Sequence, residues 1–329
     1  MIIVIKSHSN VQIFIFGKIL KMPQKRIISL LPAATEIICA LGLENQLIGR
    51  SHECDFPENV KSLPVCSEAK FVSGTNSAQI DAQVKEILSG ALSIYKIDKE
   101  LIQSLKPDVI ITQNQCEVCA VSETDVENSL NDLLSKNTQL VSLSPNTLED
   151  ILKEIKEIAS VLGVDERGNQ LVEDLQERID LVKHKLKFFP DKPKVAIIEW
   201  LSPLMIAGNW IPELVQIAGG TPILAENGKH SPFVDWQQIY DENPDIMVIA
   251  NCGFTINRTL QEIDLLLNQP GWRDLEAVKN NRVYIADGNA YFNRSGPRIV
   301  DTVEMLAEMI TPKYFAFGYE GEGWIKFES

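Results

Sequence analysis

The chain is predicted to be α/β, with two Rossmann-like lobes bridged by a single long helix, on three observations. Apolar residues recur at helical spacing across 147–189, at Leu148, Ile151, Leu152, Ile155, Ile158 and Leu162, then at Leu171, Leu175, Ile179, Val182 and Leu186. On either side of that stretch the same motif appears once. Lys106-Pro107-Asp108-Val109-Ile110-Ile111 in the first half returns as Asn243-Pro244-Asp245-Ile246-Met247-Val248 in the second, each following a helix and opening a buried strand. A spacing that long marks two similar lobes, not a solenoid. Finally, 329 residues with 45% hydrophobic content suffice for two cores.

Each element follows from local signals. Residues 26–31 form a short apolar strand, and Pro32-Ala33-Ala34-Thr35-Glu36 opens a helix closed by Gly42. This strand-turn-helix join lacks the glycines and lysine of a phosphate loop. A second strand, 47–51, runs into His52-Glu53-Cys54-Asp55-Phe56-Pro57, at the strand end where α/β folds carry ligand loops. The stretch 62–97 has a looser pattern. Asp98 caps a helix to 105, 107–112 is a buried strand, and 122–134 and 139–143 read as helix and strand. In the bridge, Asn146 and Thr147 signal the start with Glu149 and Asp150 in the first turn, Gly163 breaks it once, and Pro190 and Pro193 stop it. The second half reads as strands at 194–200, 204–207, 244–249 and 282–286, and helices at 211–218, 235–240, 260–268, 272–278 and 296–310. The expected organisation is an extension at 1–23, disordered or misassigned, a first lobe at 24–145, the bridge at 146–190, a second lobe at 191–315 and a tail at 316–329.

A net charge of −14 argues against a nucleic-acid partner, because phosphate binding draws on lysine and arginine. No stretch has the ~18 uninterrupted apolar residues of a membrane span. The six cysteines are irregularly spaced in a large chain, which reads as a reducing compartment, not a disulfide framework. Residues 1–21 have short, split apolar runs and no small-residue cleavage site. A cytoplasmic location is therefore expected, the alternative being a periplasmic or extracytoplasmic one if the N-terminus is an atypical signal. There is no nucleophile elbow and no metalloprotease histidine pair, so no enzymatic activity is expected.

The residues 26–43, 107–112, 203–220, 244–250 and 291–307 together resemble the metal-chelate group of periplasmic binding proteins, whose members hold cobalamin, ferric siderophores or haem between two lobes. His52 to Pro57, Glu199-Trp200, 208–220 and Tyr291-Phe292-Asn293-Arg294-Ser295-Gly296-Pro297-Arg298 resemble its cobalamin-binding branch more specifically. The resemblance implies a rigid cleft with modest hinge motion and a small-molecule chelate as ligand: cobalamin or another corrinoid, haem or a ferric chelate. It also implies an ABC permease as partner. No cofactor is required, and a monomer is expected.

A flat macrocycle is held by apolar and aromatic surface with a few polar groups at its rim. The cleft candidates are His52, Phe56, Gln113, Trp200, Trp210, Trp236, Tyr291 and Phe292. Trp200, Trp236, Tyr291 and Phe292 are carried over from the resemblance. His52 is also the candidate axial ligand to a chelated metal, through a free ring nitrogen. The competing function is a metal-dependent or thiol-redox protein, with zinc or iron held by Cys116 and Cys119, completed by Cys54 and Cys66 with His52 as a substitute.

Overall fold

The computed structural model describes residues 24–72, 74–89, 95–113, 138–189 and 191–328, with strands inside 2–20. The first lobe is built on a four-stranded parallel sheet in the order Leu47–Arg50, Ile27–Ser29, Val109–Gln113, Gln139–Leu143. In the second lobe, Lys194–Leu201, Ile246–Ile249 and Val283–Ala286 run parallel. Leu204–Ile206 and Trp324–Phe327 close its two edges antiparallel, and Thr221–Pro222 adds a short parallel pairing to Lys194–Leu201.

The second sheet is covered on both faces, and period-2 alternation divides its residues between them. Val195, Ile197, Ile246, Val248, Tyr284 and Ala286 join a core continuous with the first lobe. Ile198, Met247, Ile249, Val283 and Ile285 face a separate core with Leu266, Trp272 and Leu275. The lobes are therefore welded along one face and meet across the carboxyl ends of their strands.

The bridge is broken once at Gly163, as expected, into Leu148–Val161 and the longer Asp165–Leu186. Thr147 and Asp150 cap the first reciprocally. At its end Gly163 takes φ +72°, its N–H bonds Ser160 O and the Val164 N–H bonds Ala159 O, a Schellman turn that a glycine in the left-handed region allows. The second helix crosses between lobes: Arg167 donates to the Leu41 carbonyl of the first (2.9 Å), and Arg178 pairs with Asp301 and Glu304 of the second (both 2.6 Å).

Other elements depart from expectation. Within the extension expected to be disordered or misassigned, Ile2–Ser7, Asn10–Ile15 and Lys18–Leu20 form an antiparallel meander that, among the described residues, pairs with neither lobe's sheet. The loose stretch 62–97 contains the helix Ser77–Ser89 and a small strand pair, Ser67–Ala69 with Tyr95–Ile97. The helix expected over 260–268 is two shorter ones, Ile256–Leu260 and Asp264–Leu267. The unassigned tail supplies the edge strand Trp324–Phe327, anchored where Trp324 Nε1 donates to Glu308 (2.9 Å). The helix expected at 122–134 lies outside the described residues.

Candidate functional site: the cleft between the lobes

The helix Pro32–Ala40 starts where Ile27–Ser29 ends, which puts its first turn at the mouth of the first sheet. It is apolar except for Thr35 and Glu36, and Glu36 is only 3% exposed. A carboxylate so placed needs partners, and they come from the other lobe. Arg298 donates to it through Nε (2.9 Å) and Nη2 (2.6 Å), a bidentate fork, and Arg294 Nη1 donates to the same Oε1 (2.9 Å). Arg294 also donates to Asp55 (2.6 Å), and Asn289 Nδ2 donates to the other Asp55 oxygen (3.1 Å). Burial alone would raise Asp55, but the hydrogen bond and charge of Arg294 hold it below the usual carboxylate range. The Arg298 guanidinium lies 4.0 Å from the Phe56 ring centre and 5.2 Å from that of Tyr291, one ring from each lobe.

A second contact flanks the first. Both carboxylate oxygens of Glu262 accept from the Ser77 N–H at the start of Ser77–Ser89 (3.1 and 2.9 Å). Arg258 pairs with Glu262 (2.7 Å), donates to the Thr75 carbonyl, and stacks 4.5 Å over Phe254. Phe254 in turn lies 5.3 Å from Trp200 at the end of its strand.

On the first-lobe wall, the His52 ring is half-buried, with Nδ1 3.0 Å from Ser67 Oγ and Nε2 3.9 Å from Glu53. Burial lowers its pKa, which favours the neutral ring a metal would need. Beside it, burial pushes Glu53 up to about 7, against the opposing hydrogen bond that the Tyr95 hydroxyl donates (3.3 Å).

Of the expected residues, Phe56 and Tyr291 meet across the lobes on Arg298, His52 stays among Ser67, Glu53 and Tyr95 of the first lobe, Trp200 packs on Phe254 of the second, and Gln113 is buried at the end of its strand. The fold places others elsewhere. Phe292 is 1% exposed, and Trp210, also buried, donates from Nε1 to the Phe292 carbonyl (3.1 Å), so both pack in the core beneath the cleft. Trp236 packs on Trp272 (6.1 Å) and donates to the Pro270 carbonyl (2.8 Å), against the second lobe's separate core. Cys54 and Cys66 are fully buried. Cys54 sits among the Thr35 and Ser51 hydroxyls (3.1 and 3.4 Å), and burial raises both thiols, Cys66 to about 11. Cys116 and Cys119 lie outside the described residues. Among the described residues no three histidine, cysteine or acidic side chains are grouped to hold a metal.

Sequence reasoning missed Glu36 and Glu262, and held Asp55, Arg294 and Arg298 only as members of the stretches 52–57 and 291–298, not as site residues. Two signals were available: a lone acid inside an apolar helix, and two arginines four apart just before the last helix, Ile299–Ile310. Gly288 was missed as well. A Cβ there would lie 2.1 Å from the Asn251 carbonyl and 2.7 Å from that of Ala250, so adjacent strand ends touch through it. Gly288→Ala is expected to cost at least about 1–3 kcal/mol by overpacking against backbone, read as a lower urea midpoint. An unchanged midpoint would show that these strand ends are free to part.

A family model described as periplasmic binding protein matches residues 27–290. The chain belongs to that family. A Bacillus subtilis protein named as an uncharacterized ABC transporter substrate-binding lipoprotein, YvrC, is 26% identical, covering 90% of this chain and 83% of its own. The vitamin B12-binding protein of Vibrio parahaemolyticus is 24% identical, over 87% of this chain and 89% of its own. Among solved structures, a periplasmic haem-binding protein from Pseudomonas aeruginosa superposes with a TM-score of 0.70 at 19% identity, covering 94% of this chain and 99% of that one, a likeness of fold. The cytoplasmic expectation is thereby corrected. It rested on the split apolar runs of residues 1–21 and on the irregular spacing of the cysteines, whereas the matched family is described as periplasmic and the B. subtilis relative is named a lipoprotein. Among the described residues, no helix is long and apolar enough to cross a membrane.

Proposed function

We propose that this chain binds cobalamin or a related metal chelate, another corrinoid, haem or a ferric chelate, in the cleft between lobes 24–145 and 191–315, outside the cytoplasm, and presents it to an ABC permease. The observation that carries this reading is the convergence of Phe56 and Tyr291, one aromatic from each lobe, on Arg298 at the facing strand ends. The names of the relatives agree with it, and a family of binding proteins agrees with binding without catalysis. Trp200 supplies a further aromatic face, and His52 a neutral imidazole for the chelated metal. The thiol-redox alternative is not favoured, since a buried, protonated thiol such as Cys54 or Cys66 is a poor nucleophile and ligand.

The test is an absorbance titration of the purified chain with hydroxocobalamin, haem and a ferric siderophore. Saturable spectral change is expected with at least one. Trp200→Ala should weaken it by about tenfold or more, as for a buried aromatic anchor. His52→Ala should remove the part of the change that reports axial ligation. Absence of saturable binding to all three would sink the proposal.

A further inference from the structure

We infer that this cleft selects its chelate by charge, accepting a neutral or cationic complex and turning away one rimmed with carboxylates or phenolates. The inference rests on the metal-chelate reading above and narrows it.

An anionic chelate needs cationic donors with free valence, above all guanidinium forks. Here the forks are already filled by the protein itself. Arg298 spends Nε and Nη2 on the two oxygens of Glu36, and its faces are covered by Phe56 and Tyr291. Arg294 is held by Glu36, Asp55 and Asn289, and is 6% exposed. Arg258 is paired with Glu262 and covered by Phe254. Arg50, behind His52, has its terminal nitrogens on the carbonyls of Ser51, His52 and Lys61. Against these four guanidinium groups stand Glu36, Asp55 and Glu262, with Glu53, raised to about 7, and Asp287, which accepts from the Ala290 N–H (2.7 Å) at the start of the turn Gly288–Phe292, so the described wall carries no clear excess of positive charge. The Arg294 contact also favours the ionised form of Asp55. An incoming carboxylate would have to displace an internal one from its arginine and leave that one unpaired, while the net charge of −14 repels it at long range. A chelate rimmed with amides meets neither cost.

Two corrinoids with the same macrocycle and metal separate charge from shape: dicyanocobinamide, rimmed with amides, and dicyanocobyrinic acid, rimmed with carboxylates. The full chain is titrated with each at low and at raised sodium chloride. The amide form is expected to bind at least about tenfold tighter at low salt, like-charge juxtaposition being the cause. Salt should tighten the acid and leave the amide form nearly unchanged, a response that a lost contact would not give. Asp55→Asn, which releases part of Arg294, should narrow the gap by strengthening the acid. Equal or tighter binding of cobyrinic acid, or a gap indifferent to salt, would overturn the charge inference and leave the chelate reading standing. Saturable binding of haem, with its propionates, and of neither corrinoid would do the same. If none of these ligands binds, both readings fall together.

Discussion

Replacing Glu36 by glutamine is expected to destabilise the folded chain by about 3–5 kcal/mol, the cost of leaving a buried charge without its partner. Arg294 would keep Asp55, but Arg298 would lose both of its carboxylate contacts while still held between Phe56 and Tyr291. The cost is high because Glu36 is deep in an apolar helix, where water cannot take over the bonds. The double variant Glu36→Leu with Arg298→Met removes both charges and keeps the volume, so it should cost less than Glu36→Gln alone. Urea unfolding of the wild type, Glu36→Gln, the double variant and its constituents Glu36→Leu and Arg298→Met measures both statements. A double variant as unstable as the sum of its single changes would show that the pair acts independently and that the lobes are not joined through it. Because Glu36 is on the first lobe and both arginines are on the second, the loss should also loosen the cleft and lower ligand affinity with it.

Stability should fall as pH rises from about 5 to 8, with Glu154 the main cause. Its residue is 8% exposed on the helix Leu148–Val161. One oxygen accepts from the Ser144 N–H (2.6 Å), while the other is buried with no hydrogen-bond partner among the described residues. Burial therefore pushes its pKa from 4.5 to about 7, in spite of the Ser144 hydrogen bond. The folded state holds this proton more tightly than the unfolded state does. Its contribution is thus complete below about pH 4.5 and lost as pH passes through 7, on the order of 3 kcal/mol in all. Glu154→Gln mimics the protonated form, so it should flatten most of this slope and be more stable than the wild type at pH 8. Glu53 is raised to about 7 as well, but its side chain is 38% exposed and water screens it, so it leaves a smaller residual slope in the variant. Urea midpoints at pH 5, 6, 7 and 8 decide the matter, and equal slopes in the two proteins would clear Glu154 of the role.

The alternation of Val195, Ile197 and Ile198 between two cores, and the stripe from Ile151 to Val182 along the bridge, are local patterns. Period 2 and period 3.6 report which face is buried whatever covers it, so the elements that carry those periods and the two-lobed repeat were legible in the sequence by themselves, while Ser77–Ser89, in a stretch of loose pattern, was not. Gly163 was legible as a break for the same reason, its left-handed turn being a property of three successive residues. The tertiary structure alone decided the rest. Trp210 and Phe292 stand at strand ends like Trp200 and Tyr291, and only their packing against each other shows that they belong to the core. The edge strand Trp324–Phe327 pairs with Val283–Ala286 across a connection whose own residues carry no strand pattern. Glu36 finds Arg294 and Arg298 at sequence separations of 258 and 262. Burial sets the spacing of apolar residues along an element. The partner of a charge is set by which chain ends folding brings within 3 Å, and no local period encodes that distance.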